Sequence, residues 1–145
     1  MDAILAFERA KATKEKDGFP ADQRPFLVLV RGKDNKLSEA KRNEEMVMCS
    51  ECGGIMGDPF VGVTVGRNTF NVNHYGGSAW RWEVNYKFNY SRIDKTWQLV
   101  RIEKVSFHAI DQNKTMKRKV LTPPMDFGKI DIADFDPSKF QDVSP

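Results

Sequence analysis

Cysteine and histidine are scarce in this 145-residue sequence, which contains two of each. So few cysteines exclude a disulfide-dense scaffold, and a chain of this length buries a core without one. The longest apolar run, Phe26–Val30, is far shorter than the roughly 20 residues that a membrane-spanning helix needs. The residues after Met1 show no signal-peptide pattern. We therefore expect one domain without a transmembrane segment.

Neither sign of charge dominates, since 23 basic residues stand against 20 acidic ones. The basic residues are spread among acids, and the densest basic run is Lys114–Lys119. On a strand those charges point to both faces, which is typical of a solvated edge strand that resists pairing with other sheets. The charge pattern therefore predicts no nucleic-acid partner.

A long strand is predicted over Ala79–Tyr90, because its aromatic and polar residues alternate. A period of two over eleven residues is incompatible with a helix face. One parity of this strand is almost entirely aromatic, with Trp80, Trp82, Val84, Tyr86, Phe88 and Tyr90.

Further strands recur at intervals, with turn residues between them. They are predicted at Asp2–Glu8, Pro25–Arg31, Lys36–Lys41, Phe60–Val65, Thr69–His74, Thr96–His108 and Thr115–Thr122. The apolar parity changes within Thr96–His108, which predicts either two covered faces or a β-bulge. The fold class is therefore mainly β: a single antiparallel β domain over residues 1–122, as a meander, a sandwich or an open barrel. Residues 123–145 are predicted to form a C-terminal extension that packs on the domain edge.

Cys49 and Cys52 form a single Cys-x-x-Cys motif. One interpretation is that the two cysteines form a disulfide or remain a pair of unreactive thiols. A redox-active pair normally needs a helix N-terminus that lowers the thiol pKa, and the β and Gly-Gly surroundings do not favour it. A third interpretation is a tetrahedral zinc site formed by Cys49, Cys52, His74 and His108, although the histidine spacing matches no zinc finger.

No catalytic residue is predicted from the remaining polar positions. His74 and His108 have no evident nucleophile or acid partner in the sequence, and no nucleophile-elbow motif is present. The loop glycines match no phosphate-binding fingerprint, so no cofactor-binding residue is predicted either. Tyr75, Trp80 and Trp82 are the candidate interaction residues, because exposed aromatic side chains anchor proteins and sugars.

Seven motifs span most of residues 1–122: Asp2–Ala6, Arg24–Leu29, Gly57–Phe60, Gly76–Trp82, Tyr86–Tyr90, Trp97–Val100 and Ser106–His108. In these motifs and their order the sequence resembles a group of uncharacterised bacterial secreted or lipid-anchored proteins. The resemblance implies a β fold and an envelope location, periplasmic or secreted, but transfers no activity and no site residue. In that group a leader and an Asp-rich, FG-GAP-like segment precede the first strand. This sequence lacks both, and we expect a native leader to be missing from it.

Three functions remain open at this point. The first is a non-catalytic envelope protein that binds another protein, such as an inhibitor or immunity protein. The second is a zinc-binding domain, structural or hydrolytic. The third is a binder of carbohydrate or another small ligand through an exposed tryptophan.

Overall fold

The strands in the described part of the chain form two antiparallel sheets, and neither closes into a barrel. The computed structural model describes residues 24–145, together with the backbone of Ala3–Ala6. The first sheet has three strands in the order β1-β2-β3, and the second has five in the order β4-β5-β6-β7-β8. The predicted fold class, a mainly β antiparallel domain, is confirmed.

The strand bounds follow the predicted ones closely in the second sheet and less closely in the first. The strands are β1 (Ala3–Ala6), β2 (Arg24–Arg31), β3 (Leu37–Val47), β4 (Phe60–Gly66), β5 (Thr69–Gly77), β6 (Trp80–Ser91), β7 (Thr96–His108) and β8 (Lys117–Leu121). A single helical turn, α1 (Gln112–Thr115), precedes β8, and short 3₁₀ turns lie at Gly54–Met56, Ile132–Asp134 and Pro137–Phe140.

The three-stranded sheet has an apolar middle strand and a charged edge. β2 lies between its two neighbours, and Phe26 and Val28 are fully buried. β3 is one continuous strand, although the sequence predicts a strand only over Lys36–Lys41. Two register shifts against β2 break the alternation along β3, and this irregularity hides the strand from a period-two pattern.

The five-stranded sheet is built around the aromatic strand β6, which pairs with β5 and β7 along nearly its whole length. Phe70, Val72 and His74 of β5 lie opposite Phe88, Tyr86 and Val84. Directly opposed residues share a face, so the aromatic parity of β6 points into the protein. The change of parity within β7 is a bulge, because the register shifts between the pairs Lys87–Arg101 and Phe88–Leu99.

The core lies between the two sheets and is completed by the C-terminal residues. Phe26 of β2 stacks on Phe70 at 5.9 Å between ring centroids, and Phe70 stacks on Phe88 at 5.3 Å. Phe135 of the C-terminal segment is 1% exposed and packs edge-on against Tyr86 and Phe88. Residues beyond β8 therefore contribute fully buried aromatic surface to the same core.

Asn43 fastens that C-terminal segment to β3. Its side-chain amide donates to the carbonyls of Ile132 and Phe135 at 2.6 and 2.7 Å, and its carbonyl accepts from the amides of Glu45 and Met46. Asn43 is 2% exposed, so these four bonds are made away from water. No helix in the described part of the chain is long and apolar enough to cross a membrane.

We predict that Asn43→Ala costs about 2–4 kcal/mol of unfolding free energy, because it leaves buried carbonyls and amides without partners. Asn71→Ala is the matched control, since Asn71 lies on the outer face of β5 and is only half-buried. Urea denaturation should show a change within about 0.5 kcal/mol for that control. Equal losses for the two variants would contradict the role of Asn43.

Candidate functional site

The Cys-x-x-Cys loop lies at one end of the five-stranded sheet and is closed by a disulfide. Cys49 and Cys52 are bonded, with their Cα atoms 5.2 Å apart. The loop then makes the 3₁₀ turn Gly54–Met56 and returns through Gly57, whose carbonyl accepts from the amide of Gly53 at 3.0 Å. Gly54 and Gly57 have φ values of +66° and +78°, which glycine adopts without strain.

Arg24, the first residue of β2, holds this loop to the other sheet. Its guanidinium makes two bonds to the carboxylate of Asp58, at 2.8 and 2.6 Å, and two to the carbonyl of Met48, at 3.1 and 2.9 Å. It also lies over the ring of Phe60, 5.5 Å from its centroid. Arg24 is 8% exposed, and its hydrogen bonds lower the pKa of Asp58. One buried cation thus joins both ends of the loop.

His74 is buried directly behind this network. It is 1% exposed and packs against the rings of Phe60 and Tyr86, at centroid distances of 5.9 and 5.7 Å. Its Nε2 atom accepts a long hydrogen bond of 3.5 Å from the amide of Met48, and its Nδ1 atom has no hydrogen-bond partner. Burial, together with a smaller contribution from the nearby Arg24 charge, lowers the pKa of His74 to about 4. The imidazole is therefore neutral at neutral pH.

The loop also packs against the last residues of β5. The amide of Gly77 donates to the carbonyl of Gly53 at 2.9 Å. A Cβ atom on Gly76 would lie 2.5 Å from the indole of Trp82 and 3.0 Å from the Cα of Gly53. Because Gly76 has no side chain, Trp82 and the loop can both pack closely against the backbone at this position.

Trp80 is the first residue of β6 and is open to solvent. It is 55% exposed, and its indole meets the ring of His108 edge-on at 5.2 Å. Two residues on the loops that approach this end of the sheet are also exposed and apolar: Ile55 is 81% exposed and Ile110 is 91% exposed. Ile110 is held near Trp80 because the amide of Ala109 donates to the carbonyl of Ala79.

We call the set Ile55, Met56, Trp80 and Ile110 the apolar rim, since these residues surround the turn between β5 and β6. Met56 lies beside Arg81, whose guanidinium donates to the Met56 sulfur and, at 3.4 Å, to the hydroxyl of Tyr75. The rim residues come from three separate segments of the chain. A disulfide and backbone hydrogen bonds hold the loops of these segments in place.

The structure separates the candidate interaction residues. Trp80 and Trp82 lie on the inward-pointing parity of β6, whereas Tyr75 lies opposite Glu83 on the outer face. Trp82 is half-buried on Gly76, so only Trp80 of the three presents a largely open apolar side chain.

The four proposed zinc ligands are not assembled in this structure. The two cysteines are bonded to each other, and β6 lies between the strands of His74 and His108. Their partners on β6, Val84 and Trp80, are four residues apart, or about 13 Å along the strand. Across residues 24–145, no three His, Cys, Asp or Glu side chains are grouped so that they could hold a metal ion.

Sequence reasoning missed two features. Arg24 and Asp58 are 34 residues apart, and nothing in their spacing links them. An open cleft of about 580 Å³ lies at the opposite end of the sheets, between the hairpin tips and β2, and includes Tyr90, Trp97, Val65 and Lys95. Asn68 and Lys95 adopt positive φ angles in the turns at those tips. The asparagine in the first turn was the one sequence feature that indicated such a turn.

No protein-family model, curated protein or solved structure is found to match this chain. The resemblance to secreted bacterial proteins therefore stays a prediction.

We predict that His74 makes the fold less stable in acid. Above pH 6.5 the imidazole is neutral in both the folded and the unfolded chain. As the pH falls from 6.5 to about 4, the unfolded chain binds a proton that the folded chain does not, so stability declines. The unfolding free energy falls by roughly 3 kcal/mol when the pH reaches about 4.

Urea denaturation of wild type and His74→Leu between neutral pH and about pH 4.5 measures this contribution. His74→Leu should lose less stability on acidification than wild type. The same pH dependence in wild type and His74→Leu would contradict the assignment.

The Cys49–Cys52 disulfide can be checked by the intact mass of protein prepared without reductant or chelator. Native mass spectrometry should give a mass two hydrogens below that of the reduced chain, with no metal bound. A species heavier by one zinc, lost in Cys49→Ser, would instead establish the four-ligand site.

Proposed function

We propose that this protein is a non-catalytic module that binds another protein through the apolar rim. The observation that carries the proposal is the exposure of Trp80, with Ile55 and Ile110 exposed around it. Tryptophan is enriched among the residues that dominate binding energy at protein interfaces. Exposed apolar side chains grouped in one place mark such interfaces more often than scattered ones do.

The fixed position of the rim supports the same function. Binding costs less free energy when the contacting loops are already ordered. The disulfide, the Gly53–Gly77 hydrogen bond and the Arg24–Asp58 pair hold the loop that carries Ile55 and Met56. A preformed apolar rim of this kind suits an inhibitor or immunity protein, which acts by occupying a partner's surface.

We further propose that the protein works in the bacterial envelope, periplasmic or secreted. The Cys49–Cys52 disulfide supports this location, because such bonds persist in oxidising compartments and are rare in the cytosol. The resemblance to secreted and lipid-anchored bacterial proteins points the same way.

The test uses two equally exposed isoleucines at opposite ends of β6, Ile110 in the rim and Ile93 in the turn after β6, each 91% exposed. A benzophenone amino acid at position 110 should cross-link one defined protein in lysate of the native host, and at position 93 should not. Trp80→Ala should weaken binding of that protein by roughly thirtyfold.

Ile93→Lys is the control variant, and it should bind that protein like wild type. The proposal fails if no protein is captured from position 110, or if both positions capture the same proteins. It fails equally if Trp80→Ala and Ile93→Lys bind the captured protein alike.

A small-ligand site is the second candidate, and the cleft at the other end of the sheets favours it. Its volume of about 580 Å³ lies within the range of small-molecule sites. Tyr90 and Trp97 stand 5.0 Å apart at its wall, and Lys95 adds a cation. Sugars or aromatic acids that occupy the cleft should change tryptophan fluorescence in wild type and not in Trp97→Phe. Unchanged fluorescence across such a panel would argue against this site.

A further inference from the structure

Among the described residues β4 is an end strand, and its edge differs in charge from the other sheet edges whose side chains are described. β3 and β8 are end strands of their sheets, and both are charged, with Glu39, Lys41 and Arg42 on β3 and Lys117–Lys119 on β8. β4 is also an end strand, but its sequence, Phe-Val-Gly-Val-Thr-Val-Gly, carries no charge. Charge on an edge strand is a common protection against pairing with another sheet, and β4 lacks it.

The pairing of β4 with β5 shows which backbone groups face outward. The amide of Tyr75 donates to the carbonyl of Pro59, and the amide of Tyr90 donates to that of Asn68. Odd-numbered residues of β5 therefore point their backbone groups toward β4, and their partners on β4 are Gly62, Thr64 and Gly66. In an antiparallel pair the intervening residues face away, so Val63 and Val65 direct their amides and carbonyls outward.

From these outward groups we propose that two copies of this chain pair through β4, antiparallel and about a two-fold axis at Thr64. In that register Val63 of one copy lies opposite Val65 of the other, and the two pairs exchange four backbone hydrogen bonds. Thr64 meets Thr64 of the second copy, and such Thr pairs stabilise neighbouring strands. No charged residue lies within the paired segment, Gly62–Gly66.

A second copy fits this edge better than an arbitrary strand because the pairing closes on itself. Both copies use the same edge, so the dimer leaves no free β4 edge and does not grow into a filament. Val65 is 60% exposed in the single chain, and the opposing valine of the second copy would cover it. The bulge at Val61–Gly62 limits the pairing to the regular residues that follow it.

Sedimentation equilibrium of the full chain, from micromolar to sub-millimolar concentration, tests the proposal. The average mass should rise from 16.6 kDa toward twice that value. Val65→Pro removes an outward amide without removing a bond to β5, and proline is tolerated on edge strands. It should weaken the dimer roughly tenfold for each hydrogen bond lost. Val65→Lys should weaken it as well, by placing a charge on the edge.

Ile93→Lys is the matched control, because it adds the same charge at an equally open position and should leave the dimer intact. Circular dichroism confirms that each variant is folded, and Val65→Lys carries the test if Val65→Pro does not fold. A wild-type chain that stays monomeric at every concentration overturns the proposal. So does association that survives both Val65 variants, or that Ile110→Lys abolishes, since that would place the contact at the apolar rim.

Discussion

The buried guanidinium of Arg24 is the interaction on which this end of the protein depends. It begins β2 in one sheet and binds both the carbonyl of Met48, before the disulfide loop, and the carboxylate of Asp58, after it. Burying a cation is unfavourable unless its donors are satisfied, and four bonds do this here. Removing the arginine would leave the Asp58 carboxylate and the Met48 carbonyl without their partner and would free the loop from the three-stranded sheet.

The remaining features of this end follow from the fixed loop. Gly53 lies against Gly76 and Gly77 because neither carries a side chain, and Trp82 fills the space that Gly76 leaves. Trp82 is therefore part of the framework, whereas Trp80, two residues earlier on the same face, remains open. The apolar rim combines that exposed tryptophan with residues of two neighbouring loops. Backbone hydrogen bonds fix the loops that carry these residues, and this supports the binding role proposed for the rim.

The aromatic strand and the hairpin before it could be predicted from the sequence because their alternation is regular and local. The full length of β3 could not be predicted, because its bulges and charged residues interrupt the period-two alternation. At the site, Tyr75, Trp80 and Trp82 were grouped as candidate interaction residues. Only the strand register places Tyr75 on the other face, and only the folded chain shows that Trp80 is the most open of the three. Arg24 escaped notice because its partners are 24 and 34 residues away, and only the folded chain brings them together.

Residue-resolved hydrogen exchange of the free protein tests most directly whether the loop is held as the structure describes. We expect slow exchange at the amides of Gly53, Gly57 and Gly77, since each donates to a backbone carbonyl within the loop or between the loop and β5. Arg24→Ala should release all three together while the amides in the middle of β6 stay protected. Exchange at these glycines as fast as in an unfolded chain would contradict a preformed loop, and with it the apolar rim as an ordered binding surface.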